Sequence, residues 1–172
     1  TETETETETE TETETKASAQ APAAIRVRAA QQADLAAVAE LFDAYRQFYQ
    51  QAPDLALAQR FIQDRWAQQE SLILVADSPA AGLLGFCQLY PSFCSVEAQP
   101  IYVLYDLFVA ASARQAGVGR SLLLAAEATA RTAGKARMDL TTARSNLAAQ
   151  SVYESLGWVR DEVFLSYNRR IA

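Results

Sequence analysis

Residues 113–130, ARQAGVGRSLLLAAEATA, place Gly117 and Gly119 one residue apart between Arg114 and the start of a helical pattern. The N-terminus of a helix offers N–H groups without intrahelical partners and about half a positive charge, so glycine backbone delivered there can wrap phosphate oxygens. Arg114 and Arg120 flank the turn and can add two-pronged, charge-assisted donors. By itself the GVG triplet reads equally well as a tight strand-to-helix turn. Asn146 and Tyr153 are seven residues apart, so on a helix they share one face and can address one elongated ligand. Asp106 is an acid inside the apolar run YVLYDLFV, where burial without a partner is costly and raises the pKa. These residue types suit acyl transfer to an amine, which needs a neutral nucleophile, support for a developing oxyanion and a proton for the leaving group. A phenol can give that proton, and a carboxylate of raised pKa can take the amine's. Each residue has a structural reading too. Asn146 can cap a helix start, Tyr153 can pack behind Leu156 and Trp158, and Asp106 can bond an arginine or a helix terminus.

Rival phosphate-binding patterns fit less of the chain. A P-loop needs Lys then Ser or Thr directly after its last glycine, whereas Gly119 is followed by Arg120 and Ser121. A dinucleotide turn wants a third glycine where Leu122 stands, and Asp139, 20 residues after Gly119, falls inside a strand pattern rather than at its end. A dinucleotide-binding oxidoreductase therefore stays open only as an alternative.

Composition removes other classes. The first sixteen residues hold seven Glu and one Lys, which accounts for the net charge of -6; the remainder sets 14 acids against 14 bases. Neither an overall field nor a basic run interleaved with aromatics points to nucleic acid. No stretch approaches the roughly 18 consecutive apolar residues of a membrane span, so a soluble protein with no membrane partner is expected. Cys87 and Cys94 are the only cysteines and there is no histidine, so neither a Cys/His zinc site nor a Cys–His nucleophile is available, and no metal is expected. No secretory signal is visible, which favours the cytoplasm. The Thr-Glu repeat has no apolar face, and residues 1–20 read as a low-complexity tail or tag ahead of a single domain over 21–172; pairing with a sheet edge is the cheapest way to order it.

The elements that must position the candidate residues follow from periodicity. IRVRAA alternates as a strand, Asp34 offers an N-cap to a helix carrying Leu35, Val38, Leu41, Phe42 and Tyr45, and a second helix runs from about 54 to 69. SLILVAD and GLLGFCQLYP form a hairpin, PIYVLYDLFVA is the next strand, and the glycine turn opens a helix over 118–132 that Gly134 stops. Residues 136–142 read as a strand parallel to 101–109, SNLAAQSVYESLG as a helix ended by Gly157, and WVRDEVFLSYNRRI as one or two strands. Plain alternation puts Leu104, Asp106 and Phe108 on one face of their strand.

Arg114-Gln115-Ala116-Gly117-Val118-Gly119 resembles the R/Q-x-x-G-x-G/A signature of the GNAT superfamily of N-acetyltransferases. LYDLFV is similar to that family's splayed fourth strand, Asn146…Ala149…Tyr153…Gly157-Trp158 to its late helix and turn, and IRVRAAQQADLAAVAELF to its opening strand and helix; the likeness runs from residue 24 to about 168. GFCQLYPSF with LYDLFV looks nearest to a branch whose acceptors are small amines, amino acids and histone tails. The resemblance implies an α+β fold with a mixed, mostly antiparallel central sheet, a parallel splayed strand pair and helices on both faces. It implies acetyl-CoA as co-substrate and direct transfer to a primary amine, on a small molecule or peptide, in a ternary complex. Main-chain groups of Leu107, Phe108 and Val109 would hold the thioester arm, with Asn146 on the pantetheine. Gln115, Ala116, Gly117, Val118, Gly119 and Arg120 would cradle the pyrophosphate, Tyr153 would act as acid and Asp106 is the candidate base. A non-catalytic acyl-CoA sensor is the chief alternative. The alternating end VFLSYNRRI, together with the resemblance, points to a homodimer.

Overall fold

The apolar positions of the chain sort into two sets that cover opposite faces of one sheet, which is why helices must lie on both sides. The computed structural model describes residues 24–172; the expectations for the Thr-Glu tail lie outside the described residues. The strands are β1 (Arg26–Ala29), β2 (Leu72–Ser78), β3 (Gly82–Cys94), β4 (Gln99–Val109) and β5 (Met138–Asp139), ordered β1-β2-β3-β4-β5 across the sheet. The first three pairings are antiparallel and β4–β5 is parallel. Helices α1 (Leu35–Phe48) and α2 (Leu55–Ala67) cover one face, where Val38, Phe42, Ala58 and Ile62 meet Ile73, Val75 and Phe86. Helix α3 (Val118–Thr132) covers the other, with Val118, Leu122, Leu123 and Ala126 against Leu74, Cys87, Leu89 and Leu104. Helix α4 (Leu147–Ser155) follows β5, and Val152, Tyr153 and Leu156 pack on that same side. Each buried Leu or Ile contributes about 1.5–3 kcal/mol by leaving water, so the two clusters hold the layers together.

Several local features explain the turns. Asp54 caps α2 by accepting from the Leu57 N–H at 3.0 Å. Gly85 lies where β3 crosses closest to β4: a Cβ there would meet the Phe108 carbonyl oxygen at 2.7 Å. A bulge interrupts the β3–β4 ladder, with Gln88 opposite Asp106 but Leu89 opposite Leu104, so Tyr105 has no partner.

Four expectations are corrected. Asp34 does not cap α1 with its side chain; its carboxylate reaches back to the Gln31 N–H at 2.7 Å and to Arg28 at 2.6 Å, because a short 3-10 turn over Gln32–Asp34 precedes the helix. The strand expected over 136–142 is reduced to Met138–Asp139, since the chain then diverges from β4. The C-terminal strands expected in WVRDEVFLSYNRRI do not form, because a two-residue β5 offers too short an edge for a further strand to pair on. Leu104 does not share a face with Asp106 and Phe108: the bulge at Tyr105 resets the alternation, leaving Leu104 against α3 and Phe108 against α1.

Candidate active site

Parallel strands β4 and β5 are paired only at Tyr102–Met138 and Val103–Asp139, after which β4 continues to Val109 while the other chain veers away. The unpaired stretch opens a wedge lined by Leu104, Tyr105, Leu107, Leu140, Thr141 and the phenol-bearing Tyr153. On the α1 side it meets a cleft of about 180 Å³ walled by Tyr45, Tyr49, Tyr105, Thr141, Thr142 and Ala143. Two successive residues of a bulge can point to the same face, which is how Tyr105 and Asp106 both come to lie toward α1. Tyr105 is two-thirds exposed and its ring meets that of Tyr90 edge-on at 5.8 Å, while Asp106 is 3% exposed beneath it.

Asp106 is the centre of a buried polar chain. Gln88 Nε2 donates to Asp106 Oδ2 at 2.5 Å, and Ser71 Oγ donates to Gln88 Oε1 at 2.7 Å. The Tyr45 hydroxyl donates to the Tyr105 carbonyl oxygen at 3.3 Å and lies near enough to the carboxylate to lower its pKa. Burial raises the pKa of Asp106 above the usual carboxylate range, and the Gln88 bond and the nearby Tyr45 hydroxyl pull it back in part. Burial also raises the Tyr45 phenol, with the nearby Asp106 charge adding to it, and pushes Tyr90 up to about 12, so these hydroxyls stay protonated donors near neutral pH. Cys87, fully buried, is likewise pushed up to about 12, which leaves it inert as a thiolate nucleophile.

At the far end of β4 the glycine turn takes its expected place at the start of α3. Gly117 is the N-cap residue with φ of 79°, a left-handed conformation that glycine adopts without strain, and among the described residues no side chain caps the helix. The first helical bond runs from the Ser121 N–H to the Gly117 carbonyl at 3.0 Å, so the N–H groups of Val118, Gly119 and Arg120 are left for an outside acceptor. A Cβ on Gly117 would meet nothing within 4 Å and one on Gly119 only Val109 Cγ2 at 3.8 Å, so the space over the turn is open to a phosphate-sized group. Val118 is buried under the turn, whereas Gln115, with φ of 64°, and Ala116 are exposed beside it. The two arginines point elsewhere. Arg114 donates from Nε to the Val109 carbonyl at 3.2 Å and lies over the Phe48 and Phe108 rings, and Arg120 reaches Ser155 Oγ at 3.2 Å.

Asn146 caps α4 by accepting from the Ala149 N–H at 3.3 Å, which uses its carbonyl and leaves its amide nitrogen for other work. Tyr153 is half-buried beside Trp158, ring centres 6.1 Å apart, and also lines the wedge. Burial raises its pKa, and the neighbouring Thr142 offsets this in part. The wedge thus brings Leu107 and Tyr153 together, with Phe108 on the α1 face and Val109 next to Gly119. Sequence reasoning missed Gln88, Ser71, Tyr45, Tyr49, Tyr105 and Thr142. A signal existed for Gln88, a polar residue in the apolar run GFCQLY that the hairpin partner strand sets opposite Asp106.

Comparison with known proteins agrees with this architecture. Residues 35–158 match the model of the acetyltransferase (GNAT) family. An uncharacterized N-acetyltransferase, YhfO, of Bacillus subtilis (strain 168) is 43% identical over 143 residues, covering 83% of this chain and 95% of that protein. The crystal structure of a probable acetyltransferase superposes with a TM-score of 0.80 at 37% identity, over 86% of this chain and 98% of the other. The aminoglycoside N-acetyltransferase AAC(6')-Iy, solved in complex with CoA, has a TM-score of 0.73 at 18% identity, over 86% and 96% of the two chains; at that identity the likeness is one of fold.

Proposed function

The chain belongs to the acetyltransferase (GNAT) family, and on that premise we propose that it transfers the acetyl group of acetyl-CoA directly to a primary amine within a ternary complex. The observation that carries this reading is the wedge between β4 and β5, which joins an open, uncapped helix N-terminus at one end to a tyrosine-walled cleft over a buried carboxylate at the other. The turn fits a pyrophosphate: a Cβ on Gly119 would fall in space that is otherwise open, and the α3 N–H groups face it without a capping side chain. Val118, Gly119 and Arg120 hold the phosphates through backbone N–H groups, with Gln115, Ala116 and Gly117 shaping the turn and Arg114 swinging from its aromatic seat to add charge. Backbone groups of Leu107, Phe108 and Val109 along the free edge of β4 receive the extended arm, and the Asn146 amide nitrogen donates to it. When bound, acetyl-CoA supplies an acyl thioester.

The proton balance assigns the remaining roles. A primary ammonium and a thioester become an amide, a thiol and one free proton: the N–C bond forms and the C–S bond breaks. Asp106 accepts the ammonium proton by way of the Tyr45 hydroxyl, which lines the cleft and turns from the Tyr105 carbonyl toward the carboxylate to relay it. Tyr153, whose pKa is raised by burial, keeps its proton until the departing sulfur takes it, and is made whole by the second proton that the nitrogen loses as the amide forms. Direct transfer is supported by the burial of Cys87 in the core and by the position of Cys94, which lines neither the wedge nor the cleft. A two-fold dimer is part of the proposal, supported by Val163, Phe164, Leu165, Tyr167 and Ile171, each at least 74% exposed in an extended segment. A cytoplasmic setting goes with a co-substrate made and used inside cells. Thiol release with a panel of primary amines, run beside thermal shift with acetyl-CoA, tests the reading. Stabilisation with turnover is the expected result; stabilisation without turnover on any amine would return the chain to an acyl-CoA sensor.

A further inference from the structure

The cleft over Asp106 carries information about the acceptor. Its walls are the rings and hydroxyls of Tyr45, Tyr49 and Tyr105 with Thr141 and Thr142, and among the described residues no lysine or arginine lines it. The Tyr45 and Tyr49 rings stand edge-on at 5.1 Å, and the exposed Tyr105 ring forms another wall. The carboxylate of Asp106 is buried next along β4 from Tyr105, whose carbonyl accepts from the Tyr45 hydroxyl. Arg114 is packed on Phe48 and Phe108 outside the lining, and Arg144 follows Ala143 on the exposed loop. Aromatic faces attract ammonium groups, and a buried carboxylate favours them further, whereas a carboxylate brought into such a space would find no cation and would face Asp106. At about 180 Å³ the cleft falls below the roughly 300–1,000 Å³ of a site that encloses a whole drug-sized ligand, so it takes only the amine-bearing end.

We propose that the cleft formed by Tyr45, Tyr49 and Tyr105 selects an alkylammonium acceptor whose nitrogen sits on a methylene, with no carboxylate beside it. Free α-amino acids are therefore poor acceptors, and decarboxylated amines are good ones. This rests on the acetyltransferase reading above and narrows its acceptor.

Matched pairs test it: phenethylamine against phenylalanine and ethanolamine against serine in thiol release. Choline, which has no N–H to acetylate, is compared with its neutral isostere 3,3-dimethylbutan-1-ol by calorimetry on the CoA-saturated protein. Each decarboxylated amine should exceed its amino acid at least tenfold in kcat/KM, and choline should bind at least tenfold tighter than the alcohol. Tyr49→Leu and Tyr105→Leu, both at exposed positions that the fold tolerates, should weaken choline three- to tenfold and raise KM for phenethylamine more than they lower kcat. Equal use of amino acids, or equal binding of choline and the alcohol, overturns the inference. If no amine turns over, the choline comparison still decides it. Failure of acetyl-CoA to bind defeats the underlying reading instead, so the two failures are distinguishable.

Discussion

Replacing Gln88 with leucine separates the buried carboxylate from the one donor that is wholly enclosed with it. Gln88 is 0% exposed and Asp106 3%, and their hydrogen bond is 2.5 Å long. A hydrogen bond to a charged group contributes about 1.5–3 kcal/mol, and this one favours the ionised acid, so losing it should raise the Asp106 pKa further. In the proposed mechanism Asp106 works deprotonated, so the acid limb of kcat/KM should move to higher pH, while the high-pH plateau and acetyl-CoA affinity stay near wild type. Stability changes with the same sign. A folded-state pKa above the unfolded value means that the fold favours the neutral acid, so this stabilisation is complete below the ordinary carboxylate pKa and disappears as pH rises through the folded value. Gln88→Leu should therefore cost more Tm at pH 8 than at pH 5. The assays are pH profiles by thiol release with a saturating amine, and melting curves at both pH values. Ser71→Ala serves as the control, since Ser71 touches Gln88 but not the acid. An acid limb that stays within 0.3 unit of wild type, in a folded variant that binds acetyl-CoA, would refute the claim that Asp106 titrates under Gln88's influence.

Asp106→Asn should stay folded and bind acetyl-CoA, yet lose activity most at low pH and recover as the free amine becomes neutral in solution; normal turnover with a sharply lower Tm would make the acid structural. Tyr153→Phe should lower kcat by roughly 10²–10⁴ with little change in acetyl-CoA affinity, checked by steady-state kinetics and calorimetry; wild-type turnover would reduce it to packing beside Trp158. Gly119→Glu should abolish thermal stabilisation by acetyl-CoA while the protein alone melts normally, because the side chain enters the open space over the turn; undiminished binding would move the phosphates elsewhere. Gly85→Ala should cost about 1–3 kcal/mol, read as a drop of several degrees in Tm, because its Cβ meets the Phe108 carbonyl at 2.7 Å; an unshifted melt would show that the β3–β4 crossing relaxes freely.

The parts of the fold that were legible in sequence are those whose cause is local. The glycine turn, the helical spacing of Val118, Leu122, Leu123 and Ala126, the hairpin between residues 72 and 94 and the stop at Gly134 all follow from periodicity and backbone preference. The parts that were not depend on pairing between distant segments. Residues 159–171 alternate as a strand, yet alternation says only that a segment could half-bury a face; a strand also needs an edge, and β5 supplies two residues of it. Asp34 illustrates the same limit at short range. Its type suits an N-cap, but Arg28 across the turn and Asp77 on β2 complete a charged cluster that draws the carboxylate away from α1 and holds its pKa below the ordinary value.

The site depends most on a feature that periodicity cannot reveal. A strict two-residue alternation through YVLYDLFV groups Asp106 with Leu104, which would turn the acid toward the α3 side, away from Tyr45. One extra residue in β4 at Tyr105 changes this outcome. It keeps Leu104 in the α3 cluster, sets Asp106 opposite Gln88 beneath α1, and brings Tyr105 to the mouth of the same cleft. The bulge also follows directly on the point where β4 leaves β5, since the parallel pairing ends at Val103. A single unpaired residue thus accompanies three features that the proposed reaction would use together: an edge left free for an extended ligand, a carboxylate withdrawn from water, and an aromatic wall toward the acceptor. Because bulges are set by the mismatch between two strands rather than by either strand alone, the residues that read as chemically important were visible one by one, while their arrangement was a property of the sheet.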